Sequence, residues 1–207
     1  MRSSRSFAVI LVILFWAFTW SVAGWSQSPD PWAPYRSVAE IRMPRWTGSG
    51  TLVATSGGKG LVLSCRHVNP RVGMRARVRW LGVGAETIGV VVKVVRGRGF
   101  GTDLALLVTD IPGGVLPRTV AAFDPQNGPW RSVGYRDSRL LEATAERVDV
   151  RGNLLYLNSP YLGGMSGGPT FDRFGQVVAV VVASNGDTVG VSVDGEALHD
   201  MLREFAK

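Results

Sequence analysis

Apolar residues from position 50 onward fall in short β-branched runs separated by glycine- and proline-bearing breaks, a pattern that predicts strands rather than helices. The first set is Gly50–Ala54, Gly60–Ser64, Arg75–Leu81, Thr87–Val95 and Leu104–Val108, with Ser56-Gly57-Gly58-Lys59-Gly60 as a typical break. A second set is Trp130–Tyr135, Leu140–Val150, Leu154–Asn158, Pro169–Asp172, Gln176–Val182 and Thr188–Val193. Between them, residues 111–129 carry Pro112, Gly113, Gly114, Pro117, Pro125 and Gly128, a linker composition. Two groups of about six strands predict an all-β chain of two small antiparallel barrels. One helix is expected to close it over 195–206: Asp194 is a good N-cap, Glu196 suits the first turn, and Leu198, Met201, Leu202 and Phe205 recur on one face. His199 falls off that apolar stripe.

The N-terminus has a different pattern. Arg2 and Arg5 precede an almost wholly apolar stretch ending at Ser21-Val22-Ala23. This reads as a signal peptide over 1–23, followed by a Pro/Trp-rich lead-in over 24–45. An uncleaved anchor is the alternative, because the run Phe7–Ala23 is 17 residues, near the lower limit for spanning a bilayer. Either way the remainder is exported, to the periplasm or beyond, and a membrane contact is expected only if the segment stays uncleaved.

Cys65 is the only cysteine, so no internal disulfide can form; set in an apolar run, it is expected to be a buried thiol. The net charge is +7, with arginines at 66, 71, 75, 77 and 79 and again at 96 and 98. An anionic envelope surface or an acidic substrate would suit such a cluster; nucleic acid is disfavoured. The plainer reading is a solvated strand face, because Arg75, Arg77 and Arg79 alternate. Two histidines and one cysteine do not make a usual zinc set, and no phosphate loop or dinucleotide fingerprint is present, so neither metal nor cofactor is expected.

Three short segments carry candidate chemistry: Cys65-Arg66-His67-Val68, Gly101-Thr102-Asp103-Leu104-Ala105-Leu106-Leu107 and Gly164-Met165-Ser166-Gly167-Gly168-Pro169. A serine hydroxyl needs a base to become a nucleophile, histidine has the right pKa for that role, and a carboxylate on the other ring nitrogen fixes its tautomer. Each alone has a bland reading: a packed histidine, a turn-capping aspartate, a serine in a glycine-rich loop. Together, in the order His, Asp, Ser, they resemble the trypsin/chymotrypsin-like serine peptidases, in particular small bacterial members without disulfides.

That resemblance covers about residues 46–205, with Gly48-Ser49-Gly50-Thr51-Leu52-Val53 similar to the family's first hairpin and Ser132-Val133-Gly134-Tyr135 to the opening of its second barrel. It implies two six-stranded chymotrypsin-like barrels, about 46–110 and 130–193, within a peptidase domain over 46–207. It also implies a serine endopeptidase with Ser166 as nucleophile, His67 as base, Asp103 as orienting acid, and the N–H groups of Gly164 and Ser166 as oxyanion hole. By the same resemblance Pro160 lies at the base of the primary pocket, and Val178–Ala183 with Ser184 forms the wall along which substrate lies, so Pro160, Val182, Ala183 and Ser184 are the expected substrate contacts. No carboxylate stands at 160, which gives a basic-residue preference no support, and the small or aliphatic wall residues imply a small or apolar residue before the cut bond.

The departure from the family is Met165, where Asp or Asn usually precedes the nucleophile. Met165 cannot pair with a newly cut N-terminus, so the oxyanion loop needs another support, such as packing of Met165 itself. It is also the best argument for the alternative function, an inactive member that binds peptides or an envelope partner in the same groove. No PDZ-like module is expected after the closing helix.

Overall fold

The computed structural model describes residues 35–95, 103–184 and 187–192, together with Leu202, Arg203 and Phe205. The expected signal segment, most of the lead-in and His199 lie outside these residues.

The first half is a closed barrel of six strands: β1 (Val38–Arg42), β2 (Thr47–Ser56), β3 (Lys59–Ser64), β4 (Arg75–Trp80), β5 (Ala85–Val94) and β6 (Ala105–Asp110). Their order is β1-β2-β3-β6-β5-β4, and β4 closes on β1 with Ile41 opposite Val78. Ile41, Leu52, Val62, Leu63, Val78, Trp80 and Leu107, all on its strands, are wholly buried. The β2–β3 turn needs left-handed backbone at two successive positions, supplied by Gly57 and Gly58 at φ +54° and +78°. The expected alternation in β4 is present: Arg75 and Arg77 face out, Ala76, Val78 and Trp80 face in.

β1 lies inside the stretch read as a lead-in, so the barrel begins at Val38, ahead of residue 46. Its alternation is hidden because both faces are buried, one by the barrel core and the other by polar contacts. The wholly buried Glu40 holds Arg42 Nε and Arg79 Nη1, each at 3.0 Å from Oε2, and accepts the Ser138 N–H at 3.2 Å on Oε1. Ser138 and Asp137 form a turn with φ +65° and +51°, so Glu40 clamps a turn of the second half. Burial, together with the nearby charges of Glu40 and Tyr35, pushes the neighbouring Tyr135 hydroxyl up to about 12. Glu40→Gln is expected to cost about 1–3 kcal/mol, because two partly exposed guanidiniums lose their shared carboxylate. Chemical denaturation of wild type and variant at equal pH checks this.

The second half departs from the expected closed six-stranded barrel. It is a seven-stranded sheet in the order β8-β7-β11-β12-β13-β10-β9. The strands are β7 (Trp130–Arg136), β8 (Arg139–Ala145), β9 (Val148–Arg151), β10 (Leu154–Pro160), β11 (Pro169–Phe171), β12 (Val177–Ser184) and β13 (Asp187–Ser192). The run read as one strand over Leu140–Val150 is β8 plus β9. Arg147 exchanges hydrogen bonds with Asn158, giving its N–H to Asn158 Oδ1 at 2.8 Å and accepting the Asn158 N–H at 3.1 Å, which turns the chain from β7 toward β10. β8 and β9 are consecutive in the chain yet stand at opposite ends of the sheet order. The sheet therefore curls until its edges approach, a half-barrel with no closing pairing.

No α-helix of any length is bounded among the described residues, although Leu202, Arg203 and Phe205 have helical backbone. Of the expected closing helix, only Leu202, Arg203 and Phe205 are described, with Leu202 and Phe205 partly buried against the core. The segment 111–129 follows β12 for part of its length: the Val177 N–H bonds the Thr119 carbonyl at 2.8 Å, and the Ala121 N–H bonds the Val177 carbonyl at 3.0 Å.

Candidate active site

Strand β3 ends at Ser64, and the chain turns through Cys65-Arg66-His67 before β4. Asn69 holds that turn, its Nδ2 donating to Ser64 Oγ at 3.0 Å and to the Cys65 carbonyl at 3.2 Å. Asp103 stands just before β6, which pairs with β3, so the sheet register brings the two segments together: Ser64 lies opposite Ala105. The Asp103 carboxylate, 4 % exposed, takes two bonds from His67, with Oδ1 accepting the backbone N–H at 2.9 Å and Oδ2 lying 2.6 Å from Nδ1. An ionised carboxylate only accepts, so it places the proton on Nδ1 and leaves Nε2 as a base.

Ser166 belongs to the loop between β10 and β11. Gly164 and Gly167 take φ +104° and +84° there, conformations that side chains rarely adopt. The loop is tied down on two sides. Gly167 N–H bonds the Val181 carbonyl at 2.7 Å, and Val181 N–H bonds the Gly168 carbonyl at 2.9 Å. From the first barrel, Ser49 N–H bonds the Ser166 carbonyl at 2.7 Å, and Ser49 Oγ donates to the Gly164 carbonyl at 2.9 Å while accepting the Tyr135 N–H at 2.7 Å. The N–H groups of Gly164 and Ser166 have no hydrogen-bond partner among the described residues, leaving two donors on one turn. Met165, wholly buried, packs with Ala143 and Val181 and with the partly buried Leu141 and Tyr161. Apolar packing thus supports the loop where the usual family residue would be polar.

The histidine turn and the serine loop meet over β2. A Cβ built on Gly48 would lie 2.7 Å from both the Ser166 carbonyl oxygen and Val68 Cγ2. A Cβ on Gly167 would run into Ser64 Oγ and lie 3.0 Å from Cys65 N. His67 and Ser166 are not hydrogen-bonded to each other, however. Ser166 Oγ is bonded to Tyr161 Oη at 2.7 Å, and His67 Nε2 faces Cys65 Sγ at 3.6 Å.

Cys65 is buried as expected, and burial, with the nearby Asp103 charge adding, pushes its thiol up from the ordinary range. It stays a neutral S–H. Native protein at pH 8 is therefore expected to resist iodoacetamide and to alkylate at Cys65 once denatured, read by intact mass; rapid alkylation of the native chain would contradict the burial.

Pro160 ends β10, exposed, with Asp187 as its partner on β13. Strand β12 pairs with β11 only as far as Val180, while β13 accompanies it to Ser184. Val182, Ala183 and Ser184 thus run on with no strand on one side among the described residues. Of the arginines read as a cluster, Arg77 and Arg79 are engaged with Glu86, and Arg79 also with Glu40. Among the described residues no group of three or more His, Cys, Asp or Glu could hold a metal ion.

Residues 48–180 match the family model of the trypsin-like peptidase domain. The chain belongs to that family. Among solved structures, this trypsin-like peptidase is similar to the Rv3671c protease in an inactive form, at 22 % identity and TM-score 0.60, over 87 % of this chain and 98 % of that one. A serine-to-alanine mutant of Rv3671c from M. tuberculosis H37Rv, also in an inactive form, gives 20 % identity and TM-score 0.59 over 85 % and 94 %. The serine protease of a human pathogenic astrovirus gives 23 % identity and TM-score 0.58 over 78 % and 91 %. At these identities the likeness concerns the fold. No curated protein matches the chain.

Sequence reading did not single out Ser49, Asn69 or Tyr161 for the site. Ser49 sat inside a hairpin motif and Tyr161 beside a pocket residue, with no periodicity or spacing to mark either.

Proposed function

We propose that this trypsin-like peptidase is a serine endopeptidase that cleaves through an acyl-enzyme. Ser166 attacks the carbonyl carbon while His67 Nε2 takes the Oγ proton. The oxyanion is held by the N–H groups of Gly164 and Ser166. His67 then returns the proton to the leaving amine, and water, activated by the same nitrogen, releases the acid. The substrate lies along the unpaired flank of Val182, Ala183 and Ser184, near Pro160. The observation that carries this reading is the two-point grip of Asp103 on His67, at 2.9 and 2.6 Å, which orients an imidazole for base catalysis. Its substrates are proteins or peptides met after export, in the periplasm or outside the cell, or at the membrane if the N-terminal segment stays attached. Any anionic envelope contact would fall to the arginine cluster.

A second reading, an inactive peptide-binding module, is favoured by one observation: Ser166 Oγ and His67 Nε2 each have another partner. Digestion of an unfolded protein by the full chain separates the two. New N-termini that disappear with Ser166→Ala support the peptidase. Binding of the same protein with no cleavage supports the module.

A further inference from the structure

A solvated strand face accounts for the arginines of β4 but not for the strand beside them. β5 pairs with β4, setting Val90 opposite Arg75 and Ile88 opposite Arg77, and on the other side Arg42 of β1 lies opposite Arg77. Where water would favour polar side chains on β5, Ile88, Val90 and Val92 are between 37 and 43 % exposed. A row of guanidiniums thus runs beside a row of exposed aliphatic side chains. Single apolar residues on a surface mean little, but a contiguous set rimmed by polar groups marks a contact surface.

The same face holds a cleft of about 450 Å³, lined by Met43, Pro44, Ala76 and Ile88 and flanked by Arg42, Arg75 and Arg77. The turn that supplies Met43 and Pro44 is closed by the Met43 N–H on the Trp46 carbonyl at 2.8 Å. The volume lies in the lower part of the range of ligand clefts. Met43 and Ala76 are buried, so their part of the lining is reached only by a group that enters. Around it, Glu40 is shared by Arg42 and Arg79, and Glu86 by Arg77 and Arg79. Arg75 meets no carboxylate among the described residues, so four guanidiniums have two carboxylates between them.

Positive charge in excess beside an apolar lining selects an occupant that is apolar in part and anionic next to it. A bilayer surface is flat and does not reach a buried lining. A polynucleotide has no aliphatic group to place there. A peptide carries both groups on one chain.

We propose that this cleft is a docking site for an acidic segment of a protein, which inserts an apolar side chain against Met43, Ala76 and Ile88 while its flanking carboxylates pair with Arg75 and the neighbouring guanidiniums. None of these residues belongs to the site around Ser166, so the docking site is independent of the peptidase reading.

The full chain carrying Ser166→Ala, which leaves the probe uncut, is titrated with a fluorescent peptide in which a leucine pair is flanked by glutamate pairs, read by anisotropy. Binding is expected to weaken with salt, and to be lost when serines replace the leucines or lysines replace the glutamates. Arg75→Glu is expected to weaken it about tenfold and Ile88→Thr about fivefold, while Arg139→Glu, an equal charge change on β8, leaves it within about twofold. If Arg75→Glu loses its cooperative melt, Arg75→Gln decides, with a loss of about threefold. No binding by the folded chain, equal binding of the serine peptide, or the same loss in Arg139→Glu as in Arg75→Glu would each overturn the proposal. Binding to phosphatidylglycerol vesicles without binding to the peptide would also overturn it and make the face a membrane surface.

Discussion

Asp103→Asn is expected to lower kcat about 10⁴-fold while leaving the fold intact. The amide can still accept the His67 backbone N–H through Oδ1, which keeps the turn in place. At the second position it then presents its NH2 group to Nδ1. The NH2 group would drive the ring proton to Nε2, leaving no base facing Ser166. The loss should therefore appear in turnover, with a melting temperature close to wild type and substrate binding little changed. Comparable activity in both proteins would mean that the Asp103–His67 pair is structural.

A large stability effect is expected at Gly168. A Cβ there would overlap the Val133 carbonyl oxygen and lie 2.9 Å from the Met165 carbonyl oxygen. Both obstacles are backbone, one in β7 and one in the Ser166 loop, so neither can turn aside. Gly168→Ala is expected to cost about 3 kcal/mol, the upper end of ordinary overpacking, and to lower Tm by about 6–12 °C. Gly113→Ala is the control: a Cβ there meets nothing within 4 Å, and its melt should match wild type. Similar melts for both variants would mean that the loop is not seated on β7 as described.

The strands were legible where one face meets the core and the other meets water. β4 is the clearest case, with arginines alternating against Ala76, Val78 and Trp80. β1 was not legible, because Glu40 is as buried as Val38 and Ile41, and a strand buried on both faces loses its two-residue period. In the second half the strand positions could be read but not the closure of the sheet. That depends on whether β8 pairs with β9, and the Arg147–Asn158 exchange, invisible in the hydrophobic pattern, sends the chain elsewhere. At the site, His67, Asp103 and Ser166 stood out because each sits in a motif of its own. Ser49 and Tyr161 act through contacts 115 and 5 residues away, and neither separation marks the contact in sequence.

Burial of Met165 answers what its residue type left open. A polar residue at that position would need a partner; a methionine needs a pocket, and Ala143, Leu141 and Val181 provide one. Among the described residues the loop is held by packing and by Ser49. On the proposed mechanism, Ser166 Oγ exchanges Tyr161, and His67 Nε2 exchanges Cys65, for one another.

The most direct measurement is covalent labelling of the purified chain by a fluorophosphonate, with the modified residue identified by peptide mass, beside His67→Ala. The account predicts one adduct, on Ser166, formed by wild type and lost in His67→Ala. A folded wild type that takes no label, or labelling that persists without His67, would contradict it.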